Sequence, residues 1–406
     1  MNYPEAVARL HQTGRSNPSP RSETCRLSAL QLGLGWFPES AGGVDRFYFD
    51  LVRELPKHAV ECEGLVLGSE NVSSQTGGRI RSAAAMDDSQ FKRFAGMRRS
   101  VRAALRSGQF DLVASHFAFN TFPALGVFAG LPLVVHFHGP WALESRAEGA
   151  GRIACRLRKG IESSVYRRAA RIVCLSEAFA RIVREEYRIP ADRIRVVPGA
   201  VDVDRFDLRE TRTQARQRLG WSTERPTVLC VRRLVRRMGL ENLVEAAAAV
   251  RRAVPDAQFL IAGRGPLKTV LDEQIASRGL GETVRLLGFV PDSDLAFAYR
   301  AADLSIVPSV ALEGFGLVAA ESLSAGTPVL VTPVGGLPEV VGSLSPNLLL
   351  EGCQPGQLAE GISRSLRQQV PLPSQQECTE YARNRFGWPR VAEQVRAVYR
   401  DALSNA

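Results

Sequence analysis

The sequence predicts an α/β protein made of two doubly wound parallel-sheet domains that face each other across a cleft. Three observations carry this. Short apolar runs of strand length alternate with longer amphipathic runs of helix length, in two series. That alternation is the pattern of parallel strands covered by crossover helices. A polar, charge-rich stretch at 202–225 separates the two series and reads as their joint. Finally, a chain of 406 residues, 45% hydrophobic and 23% charged, is long enough for two domains and apolar enough to bury both cores.

In the first series, residues 27–34 form an apolar, strand-like run and residues 44–55 read as a helix after a glycine pair. Residues 65–68, 112–115 and 133–137 read as strands, with helices near 91–106 and 152–169, and strand-like runs follow at 172–175 and 196–197. The second series opens after Pro226. Its strands are 227–231, 258–262, 284–287, 304–307 and 329–331; its helices are 240–254, 267–277 and 317–324. The segment Phe386-Gly-Trp-Pro-Arg-Val followed by 392–402 is an amphipathic helix with a proline in its first turn. The expected boundaries are a polar leader at 1–24, a first domain at 25–203, a second at 204–383, and a C-terminal helix at 384–406 that returns to the first domain.

Seven cysteines stand far apart, with no Cys-x-x-Cys pair. They read as buried thiols in a reducing compartment, not as a disulfide framework or zinc site. No apolar run reaches the roughly 18–20 residues of a membrane span, and residues 1–24 lack the apolar core of a secretory signal. The expected location is cytoplasmic, extending to the inner face of a membrane. The net charge is +10 and unevenly spread. Residues 91–108 hold six basic and no acidic side chains, and residues 145–171 hold eight basic and two acidic. At helical spacing Phe91, Phe94, Met97, Val101 and Leu105 share one side, and Lys92, Arg99, Arg102 and Arg106 another. Such a helix suits the surface of an anionic membrane, but an ordinary helix packed on a sheet, with a solvated basic face, is the favoured reading. Nothing resembles a helix-turn-helix, zinc finger or RNP pattern, so nucleic acid is not an expected partner.

The most informative segment is Glu313-Gly-Phe-Gly-Leu-Val-Ala-Ala-Glu321. A Gly-Phe-Gly turn at the start of a helix aims free N–H groups at one point, which suits phosphate. The carboxylates on either side suit sugar or ribose hydroxyls. A diphosphate flanked by two sugars is a nucleotide-sugar. An acidic helix start explains the segment equally well on its own. Other segments end predicted strands: Gly42-Gly43-Val44, His136-Phe-His138-Gly-Pro, Pro198-Gly-Ala-Val-Asp202, Arg233-Leu within Val231-Arg-Arg-Leu-Val-Arg-Arg-Met-Gly239, Gly263-Arg-Gly-Pro266, Gly288-Phe-Val-Pro291 and Gly335-Gly-Leu-Pro-Glu339. Arginines in a strand-to-helix loop suit a diphosphate, because guanidinium forks match phosphate oxygens.

In this order and spacing, from about residue 26 to 404, the chain resembles glycosyltransferase family 4, whose fold, GT-B, has two Rossmann-like domains. The resemblance implies sugar transfer from a nucleotide-sugar donor, UDP- or GDP-linked, with retention of anomeric configuration and with neither metal nor cofactor. It implies that Glu313 contacts the donor sugar near the reacting carbon and that the loop of Gly314, Phe315, Gly316 and Leu317 binds sugar hydroxyls and phosphate. Glu321 would hold the ribose, Arg233 would neutralise the diphosphate, Gly43 would approach the β-phosphate, and His138 would sit by the sugar and the acceptor. Residues around Val290 would flank the base, and Asp202 would be structural at the hinge. The family carries a lysine just before the glycine that follows the Arg-Leu pair, where this chain has Met238. Arg237 is the expected substitute, with Arg236 as the other choice. The Asp-x-Asp pairs 202/204 and 292/294 lack further ligands and read as capping residues, not metal sites.

The implied acceptor is a glycan or lipid-linked sugar of a bacterial cell envelope or exopolysaccharide. Two other classes fit the same fold. A nucleotide-sugar-binding protein without turnover is favoured by Met238. A sugar epimerase or phosphorylase is disfavoured in the second case, because none of Lys57, Lys92, Lys159 and Lys268 sits in a plausible pyridoxal-phosphate motif.

Overall fold

The computed structural model describes residues 26–40 and 42–404; the expected leader at 1–24 lies outside them. The strands form two parallel sheets, as the alternation predicts. The first sheet contains β1 Leu27–Leu32, β2 Val60–Leu67, β3 Ile80–Ala84, β4 Leu112–Ser115, β5 Leu133–Phe137, β6 Arg171–Cys174 and β7 Ile194–Val196, in the order β3-β2-β1-β4-β5-β6-β7. The second contains β8 Thr227–Val231, β9 Gln258–Ala262, β10 Val284–Gly288, β11 Leu304–Val307 and β12 Val329–Val331, in the order β10-β9-β8-β11-β12. Register is regular at the centre: Leu27 lies opposite Val60 on one side of β1, and Ala29 opposite Leu112 on the other. Helices cover both faces, so central strands such as β4 and β11 are buried at every residue.

Strand order reverses between β1 and β4 in the first sheet and between β8 and β11 in the second. Crossovers leave such a point in opposite directions and open a crevice beyond the carboxyl ends of the strands. The loops after β1, β4, β8 and β11 all open onto one cleft between the domains.

The stretch at 202–225 is not a linker. Its helices Val203–Phe206 and Arg212–Leu219 belong to the second domain, where Val203 and Phe206 join the core. The stretch reads as polar because most of its charges face solvent and one is buried within the fold. Arg216, buried, donates to the carbonyls of Ala301 and Thr223 and pairs with Asp303 at 2.6 Å. The chain crosses instead at Val201, whose N–H donates to the Phe386 carbonyl at 2.8 Å. Val201 also forms a bridge with Gly387, where the chain crosses back. Helix Trp388–Ser404 then buries Trp388, Val391, Val395 and Tyr399 in the core of the first domain.

Helix Gln90–Ser107 starts at Ser89, which accepts from the Lys92 N–H. It seats Met97, Val101 and Ala104 in the core, as expected of a helix packed on a sheet. Phe91, placed on that same side by spacing alone, is 83% exposed in the first turn. Ile153 and Leu157, on the basic helix Arg152–Arg168, are also exposed. No helix among the described residues is long and apolar enough to cross a membrane.

Candidate active site

The cleft holds a cavity of about 560 Å³. From the first domain it is lined by Gly43, Phe117, His138, Trp141 and Glu144, and from the second by Arg232, Arg233, Arg237 and residues Glu313 to Leu317. The structure therefore gathers nine of the eleven expected site residues around one space. Glu321 lines a smaller adjoining pocket of about 40 Å³, with Leu317 and Phe47 common to both. Val290 does not line either; it is half-buried against the second domain's core. Beside it, exposed Phe289 carries the Arg264 guanidinium over its ring at 5.1 Å.

Glu313 follows Leu312, which has a φ of +51°. A branched side chain pays for that left-handed backbone, and the surroundings must hold it there. Arg237 does so by donating from Nη1 to the Leu312 carbonyl at 3.1 Å. Gly316, at φ +85°, turns the chain into helix Leu317–Ser324. Gly335, at φ +58°, lies so close beneath that a Cβ there would stand 1.9 Å from the Glu313 carbonyl oxygen. The loop thus rests on a backbone platform, with its helix N-terminus turned toward the cavity.

The Glu313 carboxylate is buried and has two partners. Ser309 Oγ donates to Oε2 at 3.0 Å, and Arg232 Nη2 forms an ion pair with the same oxygen. Arg232 also donates to Ser309 Oγ at 2.8 Å and touches Met238 Sδ. Sequence reasoning passed over Arg232: it stands next to Arg233 in a doublet, and only the fold, across 81 positions, shows which arginine meets Glu313. Arg233 is exposed to the cleft, where desolvation and the nearby Arg237 hold it below the usual arginine range. Arg237, expected beside the diphosphate, is buried and shared: Glu144 and Glu148 of the first domain approach it at 3.5 and 3.4 Å. Burial raises the Glu144 carboxyl, while Arg237 and Arg233 pull it back down.

On the opposite wall, His138 belongs to a stack of imidazoles. Its ring is 5.3 Å from that of His116, which lies 4.3 Å from that of His136. Hydrogen bonds fix the tautomers. Gln31 Nε2 donates to Tyr399 at 3.1 Å, so its Oε1 accepts from His116 Nε2 at 3.0 Å. His116 Nδ1 then accepts from His138 Nε2 at 3.1 Å, leaving His138 Nδ1 as the acceptor for a ligand. Burial lowers His138 to about 4 and pushes His116 and His136 well below the ordinary range. His138 is thus a neutral hydrogen-bonding group and not a counter-charge. Beside it, Phe117 and Trp141 form an aromatic edge, their rings 5.5 Å apart. Neither was singled out in the sequence, where an aromatic after a strand is ordinary. Buried Glu162 supports that wall by accepting from the Ala142 N–H at 3.2 Å and from Tyr187 at 2.8 Å.

Below the cavity the domains meet through charge. Arg46 of the first domain pairs with Asp292 of the second, which Arg205 approaches at 3.2 Å. Burial raises neighbouring Asp50 to about 6 against the pull of Arg46. Glu321 accepts from the Tyr299 hydroxyl at 3.0 Å, and burial raises it while Arg46 and Arg205 lower it. Asp202 caps helix Val203–Phe206, accepting from the Arg205 N–H at 3.3 Å. The other Asp-x-Asp carboxylates are held by arginines: Asp204 by Arg383 and Asp294 by Arg218. Above, Glu339 of the second domain accepts from the Glu177 and Ala178 N–H groups at the start of helix Glu177–Tyr187 in the first.

Comparison with known proteins agrees with this architecture. Residues 41–205 match Glycosyltransferase Family 4, and residues 211–385 match Glycosyl transferases group 1. The chain is 30% identical over 302 residues to a 2-deoxystreptamine glucosyltransferase of Streptomyces kanamyceticus, covering 72% of this chain and 78% of the relative. It is 32% identical over 318 residues to a D-inositol 3-phosphate glycosyltransferase of Acidothermus cellulolyticus, covering 75% and 70%. Among solved structures, a sucrose-phosphate synthase from Thermosynechococcus elongatus superposes with a TM-score of 0.77 at 22% identity, covering 94% of this chain and all of that one. Anabaena HepE in complex with UDP-glucose gives 0.74 at 18% identity, covering 93% of this chain and all of that one. With sheets, cleft and sequence in agreement, the chain belongs to glycosyltransferase family 4 and is a group 1 glycosyltransferase of the GT-B fold.

Proposed function

We propose that this enzyme moves a sugar from a UDP- or GDP-linked donor to a hydroxyl of a glycan or lipid-linked acceptor, with retention of anomeric configuration, in cell-envelope or exopolysaccharide synthesis. The observation that carries the reading is the meeting, across one cavity, of Glu313 at a helix N-terminus, the arginines after β8, and neutral His138 with an acceptor nitrogen free. HepE, a fold neighbour, was solved with UDP and glucose, which supports a nucleotide-sugar donor.

The chemistry follows from charge. A nucleoside diphosphate leaves with concentrated negative charge, which Arg233 and the N–H groups of the Gly314–Leu317 loop are suited to stabilise. The sugar carbon becomes oxocarbenium-like, and the Glu313 carboxylate is suited to orient the ring and offset that positive charge. The acceptor hydroxyl attacks from the face the phosphate leaves, and a phosphate oxygen takes its proton. His138 Nδ1 is suited to accept from a sugar hydroxyl, and the Phe117–Trp141 edge offers an apolar surface to the acceptor. Closure of the cleft would keep water from the donor. No cofactor enters this scheme.

The test is a panel of UDP-, GDP- and ADP-sugars read by thermal shift and by nucleoside diphosphate release. One base is expected to stabilise the protein and release product with a sugar-alcohol or glycan acceptor. Stabilisation without release under any acceptor would favour the non-turnover binding protein, and no stabilisation by any donor would sink the reading.

The acceptor side also bears on where the enzyme works. Exposed Phe91, Ile153 and Leu157 stand among the basic residues of two first-domain helices. Apolar side chains on a basic face suit an anionic lipid surface at the inner face of a membrane. Vesicles with one third anionic lipid are expected to sediment the protein at low salt. A triple Phe91→Ser, Ile153→Ser, Leu157→Ser variant should lose at least half of that binding; equal binding by the variant would refute the apolar contribution.

A further inference from the structure

We infer that Arg232 is a second diphosphate-binding cation of the donor site, delivered from the end of β8 into the space that position 238 would otherwise fill. The inference rests on the nucleotide-sugar reading above. Arg232 Nη2 reaches Met238 Sδ, Ser309 Oγ and the Glu313 carboxylate. The guanidinium therefore occupies the place where a long side chain from 238 would end. Only 9% exposed, it lines the cavity, and its Nε has no hydrogen-bond partner within the described residues. A buried guanidinium N–H without a partner is costly, and a ligand oxygen would satisfy it.

The neighbouring arginines are committed elsewhere. Arg237 holds the Leu312 carbonyl and faces Glu144 and Glu148. Arg236 is exposed and does not line the cavity. Arg232 instead stands against Glu313, a carboxylate at the wall of the cavity. An unshielded carboxylate there would repel the donor. Arg232 removes that repulsion, and its planar fork can bind a carboxylate with one edge while offering N–H groups to phosphate with another. A lysine ammonium is a point charge and lacks that shape. The methionine at 238 then has a simple cause: an ammonium there would stand against the guanidinium, whereas a thioether tolerates it.

Binding of the nucleoside diphosphate and of the bare nucleoside, with the base chosen by the donor panel, separates a phosphate contact from a structural role. Arg232→Ala is expected to weaken the diphosphate about 10- to 100-fold while changing the nucleoside less than about threefold. Arg232→Gln removes the charge with less loss of side-chain volume than alanine, and should show the same selective loss for diphosphate over nucleoside, with a melting temperature lowered by the broken pair with Glu313. Met238→Lys alone should impair diphosphate binding, because two cations meet. Met238→Lys in the Arg232→Ala background should recover at least a tenfold part of the lost affinity. Wild-type-like diphosphate affinity in both Arg232 variants, or an equal loss for diphosphate and nucleoside, would overturn the inference alone. A wild type that binds no nucleoside diphosphate would overturn the donor reading and this inference with it.

Discussion

Replacing Glu313 by Gln is expected to lower kcat about 10²- to 10³-fold, the range seen when one preorganised electrostatic group is removed from a reacting centre. The substitution keeps the size and the bond from Ser309 but removes the charge that faces Arg232. Two effects then separate. The developing positive charge on the sugar loses its counterpart, which lowers kcat. Arg232 loses its ion pair, which lowers stability. Breaking a dry buried pair costs about 3–5 kcal/mol, but an open cavity of about 560 Å³ lets water soften the loss here. Donor affinity should hold or rise slightly, since the diphosphate no longer meets a carboxylate. Steady-state kinetics beside a melting curve decides: a folded Glu313→Gln variant with turnover within threefold of wild type would remove Glu313 from the chemistry.

Gly335→Ala carries the second large effect and never touches a ligand. The new Cβ would start 1.9 Å from the Glu313 carbonyl oxygen, at a φ of +58° that already disfavours a side chain. The backbone must move, and Glu313 moves with it. A displacement near 1 Å at a reacting centre is enough for about 100-fold in rate. The strain costs about 1–3 kcal/mol. We expect kcat to fall by at least tenfold, the melting temperature to drop by several degrees, and free nucleoside to bind nearly unchanged. Wild-type kcat in Gly335→Ala would mean that the platform does not position Glu313.

Much of the fold was legible because parallel strands covered on both faces write themselves as unbroken apolar runs. β1, β4, β5, β8, β9 and β11 come close to such runs, each broken by no more than two polar residues such as Gln31, His136 or Ser305. β3 was missed for the opposite reason: it is an edge strand, and in Ile-Arg-Ser-Ala-Ala only Ile80 is fully buried. The stretch 202–225 misled because buried Arg216 looks like a solvent-facing arginine until Asp303 and the Ala301 carbonyl are brought to it. In the site, the Glu313–Leu317 loop was readable because glycines beside a lone carboxylate at a helix start are locally unusual. Arg232 was not, nor was the commitment of Arg237 to Glu144 and Glu148, since both depend on partners tens of residues away. The chain from Gln31 to Tyr399, 368 positions apart, lies beyond any local pattern.

The two crossings of the chain have a modular consequence. Val201 and Gly387 lie side by side, like neighbouring strands about 4.8 Å apart. Everything between them, including Arg232, Glu313 and Glu321, is thus a cassette spliced into the first domain at a single seam. The host half packs Trp388 and Tyr399 into its own core. Exchanging the cassette for a counterpart, cut at this one seam, would change the donor-facing wall without unthreading the wall that carries His138 and Trp141.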